Sequence, residues 1–133
     1  MAIDFATDAW IKALKDELNS SEAYRSAAKN WEGDFYFIVQ TNNGDHYLYL
    51  DLWHGEAREA MIIDDPSAKK PEFTLSAPLK TWRGVLDRKI DPIKGIMTRQ
   101  LKLTGPMVKV MKAPKAAIEL VACAAKVDTN WPE

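Results

Sequence analysis

The stretch DFYFIVQTNNGDHYLYLDLWHGEAREAMII, residues 34–63, decides the fold class. Its first eight residues are aromatic and β-branched, the composition of a strand. Asn43-Gly44 then gives a two-residue hairpin signal, because both residue types tolerate positive φ. Beyond it, HYLYLDLW alternates with period two. Tyr47, Tyr49, Asp51 and Trp53 take one face, and Leu48, Leu50 and Leu52 the other. His54-Gly55 supplies a second tight turn into a third strand, EAREAMII. Three strands joined by tight turns form an antiparallel meander.

Helical signals flank this meander. Upstream, Thr7 is suited to an N-cap, with Asp8 in the first turn where it favours the helix dipole. Trp10, Ile11, Leu14 and Leu18 follow at helical spacing. Asn19 with Glu22 resembles a capping box opening a second short helix through Tyr24 and Ala28 to about Asn30. Downstream, DDPSAKKP is a polar loop and EFTLS a fourth strand. Pro78, Pro92, Pro106 and Pro114 each stand where a helix can begin, since the first helical N–H has no partner to lose. They predict four short helices. QLKLTG, between the second and third of these, reads as a fifth strand with Leu101 and Leu103 on one face. The last helix, PKAAIELVACAAKV, is apolar enough to be buried around much of its circumference. Helices, an antiparallel sheet, then helices with a late strand define an α+β fold, read as one domain over residues 1–133.

Composition excludes several functional classes. The 133 residues are 47% hydrophobic and 28% charged, as in ordinary globular proteins. No apolar run approaches the roughly 18 residues of a membrane span. MAIDFATDAW lacks the basic start and apolar run of a signal peptide. A single cysteine rules out an internal disulfide and fits a reducing, cytoplasmic location. Net charge is −1, but residues 1–65 carry 13 acidic and 5 basic side chains, whereas residues 66–133 carry 13 basic and 6 acidic. Such polarity fits either a surface that meets something anionic or a solvated face with its counter-charges nearby.

Catalytic chemistry is hard to find. His46 and His54 lie at opposite ends of one strand, on the order of 26 Å apart, too far to share a metal. Cys123 sits in an apolar helix, where a thiol is usually a small buried hydrophobe. No G-x-S-x-G, Walker or dinucleotide-binding glycine motif occurs. Residues 80–115 are basic, but the pI of 6.1 and the lack of RRM-like or KH-like motifs argue against nucleic acid. No catalytic residue, metal or cofactor is therefore expected. What remains is an apolar surplus that includes Met97, Met107 and Met111. It reads either as core packing or as a cavity between sheet and helices for an apolar ligand.

The segment TWRGVLDRKIDPIKGIMTRQLKLTGPMVKVMK, residues 81–112, resembles the sterol carrier protein 2 family. Trp82, Asp91-Pro92, LKLTG and MVKVMK stand in that family's order, and the upstream order of elements matches as well. Arg99-Gln100 and Gly105-Pro106 depart from the family's usual glycine-lysine and glycine-aspartate pairs, and DTNWPE lacks a peroxisomal address. The resemblance implies a five-stranded, mainly antiparallel sheet covered by helices, with a hydrophobic tunnel between them. It also implies non-enzymatic binding or transfer of fatty acids, fatty acyl-CoA, isoprenoid or sterol-like lipids. On this reading Trp82, Leu86, Ile93, Ile96, Met97, Met107, Val110, Met111 and Ile118 line the tunnel. Lys94, Lys102, Lys109 and Lys112 form a charged rim that favours transient contact with an anionic membrane surface. The alternative is an accessory or dimerisation module, a homodimer, that partners an enzyme of lipid or isoprenoid metabolism.

Overall fold

Aromatic and β-branched side chains build the middle of a sheet, and short amphipathic helices close over one face of it. The computed structural model describes residues 2–131, so Met1 and the Pro132-Glu133 end of DTNWPE lie outside the described residues. In chain order the first half holds β1 (Ile3–Asp4), α1 (Asp8–Asn19), α2 (Glu22–Ala27), β2 (Glu32–Thr41), β3 (Gly44–Trp53) and β4 (Glu56–Ile63). The second half holds β5 (Phe73–Pro78), α3 (Leu79–Leu86), α4 (Pro92–Met97), β6 (Lys102–Thr104), α5 (Met107–Met111), α6 (Pro114–Lys126) and β7 (Thr129–Asn130). A 3-10 turn at Pro66–Ala68 interrupts the polar loop before β5.

The main sheet has the order β4-β3-β2-β5-β6. The expected meander is its β2-β3-β4 half. One pairing, β2 with β5, is parallel, and the rest are antiparallel, so the five-stranded, mainly antiparallel sheet of an α+β fold is observed. β1 and β7 pair in parallel and tie the two ends of the described chain together.

Several local features match the sequence reading. Thr7 caps α1 by accepting the Trp10 N–H at 3.2 Å. His54 and Gly55, with φ of 49° and 82°, make the β3–β4 turn. Other features differ for identifiable reasons. Thr41 pairs with Gly44, so the first turn is Asn42-Asn43 and Gly44 opens β3. The Thr41 hydroxyl selects that register by donating to the Gly44 carbonyl and accepting from the Asn43 N–H. Asn19 does not cap α2; Ser21 does, accepting the Tyr24 N–H at 3.1 Å, and the helix stops at Ala27. Only Pro92 and Pro114 occupy a first helical position, whereas Pro78 and Pro106 are N-caps. α6 buries one face, through Ala116, Val121, Cys123 and Ala124, and leaves Ile118 exposed.

The core lies between the inner sheet face and the helices. Phe35, Phe37 and Val39 of β2, Leu48, Leu50 and Leu52 of β3, and Phe73 and Leu75 of β5 point into it. Trp10, Ile11, Leu14 and Leu18 of α1 meet them, as do Trp82 and Val85 of α3. The outer sheet face has a smaller cluster of Tyr36, Ile38, Tyr49 and Ile63. There the Tyr36 hydroxyl accepts the Lys69 N–H at 3.0 Å, anchoring the loop before β5.

Asn19 does an unexpected job. Its amide donates to the Ala57 carbonyl at 3.0 Å and accepts the Ala57 N–H at 2.8 Å, supplying an edge residue of β4 with the pairing of an absent neighbour strand. Ala57 is buried, so Asn19→Ala leaves two backbone groups without partners, at about 1–3 kcal/mol for each unsatisfied group. The urea midpoint of that variant is expected to fall with an unchanged slope, and an unchanged midpoint would refute the assignment.

Candidate apolar binding site

Two small cavities, each about 50 Å³, lie between the inner sheet face and the helices. Tyr24, Trp31, Phe35, Val110 and Ala116 bound the first. Trp10, Phe37, Trp82, Val85, Leu86 and Val121 bound the second. Leu120 of α6 fronts both and divides them.

The floor is aromatic. Phe35 stacks on Phe73 with ring centroids 4.9 Å apart and on Phe37 at 5.1 Å. Trp31 closes one end of the row, 5.3 Å from Phe73, and Trp82 closes the other, edge-on to Phe37 at 5.8 Å. Each indole N–H is satisfied by a backbone carbonyl: Trp31 donates to Gly33 at 3.2 Å and Trp82 to Ile38 at 3.0 Å. Their polar edges are thus occupied and their apolar faces left for the interior. Lys109 of α5 donates to the Glu32 carbonyl and to the Glu72 carboxylate. Its ammonium lies 5.2 Å from the Trp31 ring centroid, so it staples α5 to the sheet.

The structure places the residues expected to line a tunnel in three groups. Trp82, Leu86 and Val110 front the cavities. Ile96 is buried in the core, with Ile93 and Met111 half-buried against it. Met97, Met107 and Ile118 are exposed, at 69%, 45% and 47%. α4 has only six residues and turns Gly95 and Ile96 inward, which leaves Met97 at its end facing out. Of the four rim lysines, Lys94, Lys102 and Lys112 are exposed, and Lys109 is half-buried in the staple just described. Sequence reasoning missed Tyr24, Trp31, Phe35, Phe37 and Leu120. The alternation of Phe35 and Phe37 with Tyr36 and Ile38 was the available signal, since it commits both phenylalanines to one face.

Polar chemistry is sparse here. Cys123 is buried, and burial raises its thiol above the ordinary value. His54 is fixed at its turn, with Nδ1 2.9 Å from the Lys29 carbonyl and Nε2 2.6 Å from the Glu32 carboxylate. Among the described residues, no group of three or more His, Cys, Asp or Glu is placed to hold a metal ion. No helix among them is long and apolar enough to cross a membrane.

The model of the SCP-2 sterol transfer family matches residues 11–117. The chain belongs to this family. A crystal structure of sterol carrier protein 2 is 33% identical, with a TM-score of 0.84 over 93% of this chain and 99% of that one. A protein from Thermus thermophilus, described in its solution structure in terms of a sterol carrier protein, is 32% identical, with a TM-score of 0.86 over 97% and 93%. Sterol carrier protein 2 from Yarrowia lipolytica, in its apo form, shares the fold at 18% identity, with a TM-score of 0.62 over 95% and 97%. Comparison with the curated proteins gives no match. Membership makes this SCP-2 domain a lipid-binding or lipid-transfer domain in general terms.

Burial also raises the phenol of Tyr24, at the first cavity, and that of Tyr49, which donates to Asp34 at 2.8 Å on the outer sheet face. The unfolded chain loses these protons near the ordinary values of 9.0 for the thiol and 10.0 for the phenols. The folded chain keeps them to higher pH and so binds more protons than the unfolded one. Their contribution to stability is complete below the unfolded values and falls as pH rises through the folded ones. Urea midpoints measured from neutral to strongly alkaline pH are expected to decline on the alkaline side. Tyr24→Phe is expected to flatten that decline, and an identical pH profile in the variant would count against the assignment.

Proposed function

We propose that the protein binds and transfers single hydrophobic ligands in an apolar tunnel that forms when the two cavities join past Leu120. The ligand classes are fatty acids, fatty acyl-CoA, and isoprenoid or sterol-like lipids, and no covalent step is involved. The observation that carries this reading is the pair of apolar cavities with a single shared side chain between them.

Volume sets the mechanism. A water needs roughly 10–15 Å³ of such space, so 50 Å³ accommodates a few methylenes and not a whole acyl chain. Binding therefore couples to displacement of Leu120 and of the α6 face that carries it. Beside Leu120 that face carries only alanine, at positions 116 and 117, toward the first cavity, so moving it gives up little buried area. About a dozen methylenes at about 0.8 kcal/mol each gives roughly 10 kcal/mol before costs. Micromolar affinity needs about 8 kcal/mol net, so a weak, exchangeable carrier results unless more of the chain is buried. In the widened state Trp82, Leu86 and Val110 stay at the wall. Ile93, Ile96 and Met111 lie behind it, and Met97, Met107 and Ile118 stand at its outer mouth. Exposed Lys94, Lys102 and Lys112 suit transient contact with an anionic membrane surface. A cytoplasmic location, and folding of residues 1–133 as one unit, belong to the same proposal.

A second reading, a dimerising accessory module, draws on Met107 and Val108, neighbours on α5 that are 45% and 66% exposed. Light scattering on purified protein separates the two, since a stable dimer that takes no lipid favours the module.

Native mass spectrometry should detect co-purified lipid, and a fluorescent fatty acid should be displaced by unlabelled acid at tens of micromolar or below. Leu120→Trp, which fills the space between the cavities, is expected to weaken fatty-acid binding about tenfold or more, the value of about two or more lost methylene contacts. No lipid and no displacement by the wild-type protein would sink the proposal.

A further inference from the structure

Outside the core, a groove of about 380 Å³ runs between the α3–α4 connection and α6. Val85, Arg88, Lys89, Lys94, Ile118 and Val121 line it. Val85 and Val121 front both this groove and the second interior cavity, so the two spaces share a wall. The groove is cationic and apolar at once. Arg88, Lys89 and Lys94 are exposed, and none of the three has an ion-pair partner among the described residues. One carboxylate also lines the groove, Asp91, which accepts the Ile93 and Lys94 backbone N–H groups at 2.8 and 3.1 Å, so three cations face one anion. Ile118 presents an aliphatic side chain to solvent beside these charges.

Each feature alone has an ordinary explanation. Together they match one kind of ligand. Unpaired cations attract an anion, the exposed isoleucine suits the first methylenes next to a headgroup, and the shared wall leads into an apolar cavity. Arg88 adds a further mark. It follows α3 with φ of 63°, a left-handed helix-end position where glycine carries no steric penalty. The chain places a long cation there instead.

We infer that this groove seats the anionic headgroup, carboxylate or phosphate, of a single-chain amphiphile whose tail passes between Val85 and Val121 into the second cavity. The inference rests on the lipid-binding reading above and adds to it a headgroup seat and a polarity: head at the α3–α4 connection, tail toward Trp82. A charged head then binds better than a neutral head on the same tail, and the margin depends on salt because the cations are exposed.

Titration calorimetry with dodecanoate, dodecyl phosphate and dodecanol tests this on the full chain. Both anions are expected to bind about tenfold or more tighter than the alcohol at low salt, and the margin should shrink by 0.5 M sodium chloride, where screening is on the order of a few ångströms. Arg88→Gly removes one charge and relieves the helix end. It should melt no lower than wild type, bind dodecanoate about fivefold more weakly, as expected for one charge pair in water, and leave dodecanol unchanged. Replacing Arg88, Lys89 and Lys94 together with glutamine should abolish the preference for anions, whereas Lys70→Gln, outside the groove, should keep it. Equal binding of acid and alcohol by the wild-type protein overturns the inference and leaves the lipid reading intact. So does an undiminished preference in the triple variant, or an equal loss in Lys70→Gln. Failure of all three ligands to bind the wild-type protein defeats the lipid reading and this inference together.

Discussion

The architecture rests on one packed row of rings. Phe35 stacks against both Phe37 and Phe73, and the row is closed by Trp31 at one end and Trp82 at the other. Phe35 and Phe37 sit on β2, the central strand, and Phe73 on β5, its parallel neighbour. The parallel pairing of β2 with β5 is therefore what brings the rings together, and the two satisfied indole N–H groups fix the ends. α3 meets this row through Trp82, whereas α1 lies beside it over β3 and β4. Flat, rigid rings leave gaps beneath a helix whose inward face is mostly alanine, and the two cavities on either side of Leu120 are those gaps. A void without partner atoms forfeits dispersion energy, so the arrangement gives up some stability in exchange for room.

The local parts of this design were legible in the sequence, because their causes are local. Period-two alternation in residues 46–53 fixed the faces of β3, the Thr7 cap fixed the start of α1, and His54-Gly55 fixed the second turn. Where the reading failed, a distant or competing group decided. Asn19 was drawn from its expected cap to a strand edge 38 residues away. The Thr41 hydroxyl moved the first turn by one residue. The pairing of β2 with β5 joins residues about 38 apart in sequence, and no periodicity announces it. The site was half legible for the same reason. Trp82, Leu86 and Val110 belong to the C-terminal pattern that carried the family resemblance, whereas Trp31, Phe35 and Phe37 were read only as strand residues and their neighbours. Met97 looked buried because its helix is apolar, but six residues cannot turn every apolar side chain inward.

The same packing determines which parts can move. β2 is paired on both sides, and its inner face is locked in the stack, so the floor is rigid. α5 is held down by Lys109, which reaches the Glu32 carbonyl, the Glu72 carboxylate and the Trp31 ring together. Among the described residues, α6 has no comparable clamp over its first half, where Ala116, Ala117 and Leu120 face the cavities. Its second half is better anchored, with Val121, Cys123 and Ala124 buried and the chain continuing into the β7 pairing with β1. Leu120 lies where the small-residue first half of α6 meets its more anchored second half, which suits the displacement proposed for it.

Charge follows the same division of labour. The acidic N-terminal half and basic C-terminal half would cancel if their charges were interleaved in space, and on the outer sheet face they partly are. Lys69 of the basic half pairs with Glu59 of the acidic half at 2.9 Å, beside an Arg58–Asp51 pair at 3.0 Å within the acidic half. Such exposed pairs contribute about 0–1 kcal/mol each, so their main consequence is local neutrality. At the α3–α4 connection the cancellation is incomplete, since Arg88, Lys89 and Lys94 stand without ion pairs among the described residues against the one carboxylate of the groove, Asp91. Exposed charges act over about 8–10 Å at physiological salt, so carboxylates farther away than that on the surface do not offset this cluster. A cationic field is therefore left open where Val85 and Val121 separate the groove from the second cavity. A neutralised face would have served a core as well, and the unneutralised one suits a core that admits an anionic guest.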